Sequence, residues 1–253
     1  MKSDLRKIAG RALELLYPRL CPVCGRIISG THPAKGANPY ICEKCYKELN
    51  FPDGPRCLKC SRPVSDELEE CCRSCSGEKK HFDQGIAVMM HDGAAKKIIY
   101  DLKFSNKRDN ADMLAFEAAA RCREQVAFWA PDVMIPVPLH RKKKRERGFN
   151  QAELLSRKLS YYLQDQGIMI PVNTDILERA SATKPMKTLN SRERRENIRG
   201  AFRAVIGKDQ ITDIRSVMLV DDIYTSGATM SECARVLREA GVSRVYFLTF
   251  SIG

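Results

Sequence analysis

No apolar run in this sequence approaches the ~20 residues of a membrane-spanning helix, so a helical span is not expected. The first twenty residues are short of uninterrupted apolar stretch in the same way. Asp4, Arg6, Lys7, Arg11 and Glu14 punctuate them, which argues against a secretory signal. Aromatic residues make up only 7% of the chain, so platforms for stacking unpaired bases are few: Phe149, Tyr224, Tyr161 and Tyr162, the last two alternatively facing the core. Acidic residues are outnumbered, 31 against 43 Lys and Arg, leaving a net charge of +12. That balance favours anionic partners such as phosphates, nucleic acid or acidic lipid.

A hydrophobic content of 43% over 253 residues can build a sizeable core and excludes wholesale disorder. The chain also holds eleven cysteines. Without an export signal they point to metal or redox chemistry rather than to disulfides, and to the cytoplasm as the compartment.

Two regions follow from texture. Residues 1–80 comprise a short amphipathic helix over 3–17, stopped by Pro18, and a stretch crowded with Cys, Gly and Pro that cannot fold on apolar burial alone. Residues 81–253 alternate strands with helices and read as one α/β domain. Strands are expected near Gln84–Met90, Val133–Val137, more weakly Ile168–Val172, Ser216–Val220 and Arg244–Phe250. Helices are expected near Ala94–Phe104, Asp109–Trp129, Asn150–Gln166 and Met230–Ala240. Arg141–Arg147 reads as a basic loop, and Thr188–Arg199 as a mobile one. The last strand–helix–strand unit makes a parallel pair with a right-handed crossover.

Cys21–Cys24, Cys42–Cys45, Cys57–Cys60 and Cys72–Cys75 are four CxxC pairs. A CxxC turn presents two thiolates to one ion and a second pair completes a tetrahedron, so four pairs suit two structural zinc ions. Pairing is either sequential or interleaved, and Cys71 is an alternative to Cys72. No neighbouring histidine or open position suggests catalytic zinc. Cys122 and Cys233 fall in helices, as ordinary core residues do.

Residues 217–229 run from an apolar strand through Asp221 and Asp222 to Thr225, Ser226, Gly227, Ala228 and Thr229. The turn's backbone amides and hydroxyls suit a phosphate at the start of the following helix. The paired carboxylates suit the vicinal hydroxyls of a ribose, directly or through a divalent ion. This stretch resembles the phosphoribosyl pyrophosphate (PRPP) signature of type I phosphoribosyltransferases.

Ile135-Pro136-Val137-Pro138-Leu139, Arg147-Gly148-Phe149-Asn150-Gln151, His91-Asp92-Gly93 with Lys103-Phe104, and Thr183–Phe202, together with the Cys pairs, resemble the ComF/ComFC family of natural competence. His91 stands where that family usually has Tyr, and Met186 where it has Gln. The resemblance implies a type I phosphoribosyltransferase-like parallel sheet flanked by helices behind a small N-terminal zinc-binding module. It implies PRPP with magnesium as ligand, single-stranded DNA as cargo and a DNA-uptake helicase as partner. The acid pair Asp221 and Asp222, with Arg147, forms the expected catalytic set. Arg192, Arg194 and Arg195 join Arg147 as counter-charge for pyrophosphate, with Lys103 of similar status, beneath a closing loop over 180–200.

Arg141–Arg147 holds six cations in seven residues, enough to follow a nucleic-acid backbone. The leading reading is a PRPP-binding protein that handles incoming single-stranded DNA. An active transferase of nucleotide metabolism or salvage and a PRPP-sensing regulator are the alternatives, and the residues leave open whether the chain turns over a substrate.

Overall fold

The computed structural model describes residues 18–28, 37–181, 190–205 and 214–253, without the side chains of Ser191 and Arg192. The helix expected over 3–17, and Met186, lie outside the described residues.

Two Cys-rich ribbons come first and repeat one design. In each, a CxxC turn closes on itself, Gly25 N donating to Cys21 O at 2.9 Å and Ser61 N to Cys57 O at 2.8 Å. Gly25 and Ser61 both adopt positive φ, at 72° and 62°, which lets the chain double back to pair Leu20 with Ile27 and Arg56 with Pro63. The second CxxC of each ribbon opens a one-turn helix, α1 (Glu43–Tyr46) and α2 (Arg73–Ser76).

Beyond them run β1 (Gln84–Met90), α3 (Gly93–Phe104), α4 (Asn110–Trp129), β2 (Val133–Pro136), α5 (Arg141–Arg147), α6 (Gln151–Gln164), β3 (Leu177–Arg179), α7 (Ser191–Ile198), β4 (Phe202–Ala204), β5 (Ser216–Tyr224), α8 (Ala228–Glu239) and β6 (Arg244–Ile252). The main sheet has the order β1-β6-β5-β2 and is parallel throughout, while β3 and β4 form a separate antiparallel pair. Parallel strands buried on both faces need near-continuous apolar residues, and 217–220 and 245–248 supply them.

Alternation of side chains along the strands divides the core in two. Met218, Val220, Tyr246, Leu248 and Phe250 face a layer made by α3, α4 and α6, and the first ribbon joins it through Cys21, Ile41, Cys45 and Leu49. Val217, Leu219, Val245 and Phe247 face α8, where the second ribbon packs through Cys57, Cys60, Cys72 and Cys75. The two ribbons thus lie on opposite faces of the sheet. Between them Asn50 O accepts from Met90 N at 2.8 Å, covering the free edge of β1 that would otherwise invite another chain.

Three expectations change. Arg141–Arg147 is a helix: His140 caps its start by accepting from Lys142 N, and Gly148, φ 81°, ends it in the left-handed region. Lys and Arg are good helix formers, and both ends carry stop signals. Residues 191–198 also form a helix rather than a loop, closed by a reciprocal capping box between Asn190 and Glu193. Residues 182–189 of the expected mobile segment lie outside the described residues. The weak strand near 168–172 reduces to one parallel bridge between Val172 and Met134.

Candidate functional site

Strand β5 extends further than its apolar run, through Asp221 and Asp222 to Tyr224. Both carboxylates therefore stand at the carboxyl end of a central parallel strand, where open α/β sheets take ligands. Asp222 is buried and pairs with Lys103 from the last turn of α3. Asp221 is half-buried and accepts from Asp222 N at 2.9 Å. Burial pushes its carboxyl up to about 6, against the opposing pull of Lys103, Arg179 and Arg147.

Those cations form a ring around Asp221. Burial holds the Arg147 guanidinium below its ordinary value, with Asp221 opposing. The same cause lowers Arg179 at the end of β3, and lowers Lys143 with added repulsion from Arg179 and Arg147. Lys103, Arg147 and Arg179 outnumber the two carboxylates, Asp221 and the Asp222 that pairs with Lys103, and leave surplus positive charge for an anion. Arg179 and Lys143 had no individual signal in the sequence, because neither adjoins Asp221 along the chain.

The expected basic residues sort differently. Arg147 stands beside Asp221 and also bonds Gln151. Arg194 lines the cleft over the Thr225–Thr229 turn. Arg195 is instead engaged by Glu78, and the side chain of Arg192 lies outside the described residues. His91 donates to or accepts from Ser251 Oγ at 3.0 Å, and burial, with Lys103 and Lys96 nearby, lowers its pKa. The Arg147–Gln151 motif has a structural logic as well. Asn150 caps α6 at Ala152 N, 3.1 Å, and donates to Val137 O at 3.1 Å, tying helix to strand end.

The turn itself brings Thr225, Ser226, Gly227, Ala228 and Thr229 together with Asp221 around a small cleft of about 40 Å³. Gly227 has φ 75°, and a Cβ there would fall 2.2 Å from the Tyr224 hydroxyl, so only glycine fits. The second ribbon holds this turn from behind. Arg62 Nη2 donates to Thr225 O at 2.6 Å and to Gly253 O at 2.8 Å, and Lys80 Nζ donates to Ser226 O at 3.2 Å. Lys80 also pairs with Glu78 at 2.9 Å, the carboxylate that engages Arg195. Tyr224 stacks on Phe247 with centroids 4.9 Å apart, and burial, with Cys60 and Cys75 beside it, raises its hydroxyl well above the usual phenol range.

The cysteines pair sequentially. Sγ atoms of Cys21, Cys24, Cys42 and Cys45, and separately of Cys57, Cys60, Cys72 and Cys75, all lie within 4.8 Å of one another in each set. Cys24 to Cys42 and Cys60 to Cys72 are both 3.7 Å. A zinc tetrahedron with arms of about 2.3 Å has edges near 3.8 Å, so both sets suit structural zinc. Cys72, not Cys71, completes the second. Burial pushes Cys122 up to about 12 and Cys233 well above the ordinary thiol range, as inert core residues require. Among the described residues no helix is long and apolar enough to cross a membrane.

Residues 12–76 match the double zinc ribbon domain. The class these features define is an α/β protein, a parallel sheet flanked by helices, with an attached double zinc ribbon. Over most of its length the chain is similar to proteins named for competence and DNA utilization. It is 29% identical to competence protein F of Haemophilus influenzae, over 81% of this chain and 87% of the relative. It is 28% identical to the DNA utilization protein YhgH of Escherichia coli O157:H7, over 91% and 96%. Among solved structures, a purine phosphoribosyltransferase from Pyrococcus horikoshii is 16% identical with a TM-score of 0.30, covering 57% of this chain and 85% of that one.

Proposed function

We propose that this chain binds PRPP with magnesium through the Asp221–Asp222 pair and the Thr225–Thr229 turn, and handles incoming single-stranded DNA in the cytoplasm during natural competence. One observation carries the first half: a carboxylate pair at a strand end, ringed by Lys103, Arg147 and Arg179 and followed by a hydroxyl-rich turn on a helix start. The acids match the ribose hydroxyls and the metal, the turn amides match the 5′-phosphate, and the cation ring matches pyrophosphate. Residues 81–253 act as the ligand-binding domain and residues 1–80 as the zinc module that braces it.

Support for the second half is the exposed basic helix α5 and the names borne by the relatives, competence protein F and DNA utilization protein. Two titrations test the reading. Calorimetry with PRPP should show binding that needs magnesium. Anisotropy with a labelled single strand should show a steep salt slope that flattens when the cations of 141–147 are neutralised. PRPP binding accompanied by pyrophosphate release with a base or amine acceptor would instead establish an active transferase. Binding of neither ligand would overturn the proposal.

The cation ring also fits a transferase, because departing pyrophosphate gains negative charge as the glycosidic bond breaks. Arg147 and Arg179 are preorganised to meet that charge without waiting for water to reorganise.

A further inference from the structure

Helix α3 carries two large aromatic side chains that do nothing for the core. Ile98, Ile99 and Leu102 are fully buried beneath it, whereas Tyr100 is 53% and Phe104 57% exposed. Four residues apart, they share one face of the helix and their rings lie 4.9 Å apart at 43°. Between them along the chain, Lys103 reaches down to Asp222. The helix that carries the aromatic pair is thereby tied to the acid pair next to Phe104.

Cations frame the same surface. The Arg147 guanidinium sits 5.2 Å from the Phe104 ring centroid, and Arg108 sits 4.6 Å from that of Phe149. Arg141, Lys144, Arg145 and Gly148 line an open groove of about 600 Å³. Aromatic faces beside a row of exposed cations are what a single-stranded nucleic acid needs, bases stacking while phosphates follow the charge. A duplex hides its base faces, and an apolar peptide gains nothing from so many cations.

We propose that Phe104 and Tyr100 form a nucleobase platform for single-stranded DNA at the lip of the acid-pair site, with the strand's phosphates running along Arg141, Lys144 and Arg145. This rests on the DNA-handling reading above and specifies where an unpaired base meets the phosphoribosyl site. Neither aromatic stood among the sequence's candidates for stacking.

The test uses the full zinc-loaded chain and a single-stranded oligonucleotide carrying 2-aminopurine. On the wild type, stacking quenches the probe. Phe104→Ala and Tyr100→Ala should each weaken binding by roughly tenfold, abolish quenching and leave the salt slope unchanged, because no phosphate contact is lost. Phe104→Tyr should restore quenching, and Phe104→Leu, which keeps apolar bulk without the ring face, should not. Neutralising Arg141, Lys144 and Arg145 should do the converse, flattening the slope. Wild-type affinity and quenching in the Phe104→Leu variant would overturn the platform while leaving the DNA reading intact. No binding by the wild type at low salt would overturn both. Concentration-dependent self-association abolished by Tyr100→Ala would mark the face as a contact between copies and also overturn the platform.

Discussion

Arg62, two residues past the zinc-ligating position Cys60, donates one guanidinium nitrogen to both the Thr225 carbonyl and the Gly253 carbonyl, at 2.6 and 2.8 Å. The second ribbon therefore clamps the Thr225–Thr229 turn to Gly253. Arg62→Ala should weaken PRPP binding about tenfold or more, and should cost roughly 1–3 kcal/mol of stability through the unpaired carbonyls. Arg62→Lys should fall between, since an ammonium has donors for both carbonyls but sits on a shorter stem that does not reach the Nη2 position. Calorimetry and thermal melts measure the two effects, and an unchanged affinity would mean that the turn holds its own shape.

Zinc content follows from the same architecture. Native mass spectrometry should find about two zinc ions per chain. Cys60→Ser and Cys24→Ser should each lose one ion, but with different consequences. Loss at Cys60 loosens the bracing of Thr225 and Ser226 and should depress PRPP affinity. Loss at Cys24 disturbs the opposite face of the sheet and should lower the melting temperature with less effect on the ligand. Equal losses of affinity would show that the ribbons act only through global stability.

Asp221 has a pH signature. Its carboxyl is raised to about 6 from an ordinary 3.8, so the folded state holds the proton more tightly than the unfolded one. Stability is therefore lost as pH rises from about 4 through 6, and the cost is fully present above that. Asp221→Asn should stabilise the unliganded protein at pH 8, by on the order of 2 kcal/mol, with the gain vanishing towards pH 4. Magnesium-dependent PRPP binding should run the other way, level above pH 7 and falling below 6 as the ligating carboxylate is protonated. Asp221→Asn should abolish it at every pH. A wild-type binding profile flat from pH 5 to 8 would contradict the assignment.

Gly227→Ala should be severely destabilising, at several kcal/mol, since a Cβ 2.2 Å from the Tyr224 hydroxyl and a φ of 75° combine a clash with backbone strain. Pairing it with Tyr224→Phe removes the hydroxyl but leaves the ring carbon Cζ 2.7 Å from the added Cβ, and should recover only a small part of the loss. Full recovery would show that the strain contributes nothing.

Sequence alone carried what depends on neighbours along the chain. The CxxC pairs announce metal because two thiolates in one turn have few other uses, and the Asp221–Thr229 run announces a strand end, a tight turn and a helix start because acids, glycine and hydroxyls are contiguous. The strands of the parallel sheet were legible from apolar runs. The helical state of 141–147 was locally encoded by His140 and Gly148, yet six cations masked it. Tertiary structure alone decided what depends on distant segments meeting. It paired the cysteines sequentially and set the two ribbons on opposite faces of the sheet. It also brought Arg179 to Asp221, and Arg62 to Thr225. Those partners lie up to 163 residues apart, so no local pattern of residue types records them, and only the packing of the ribbon and helices on the sheet brings them within reach.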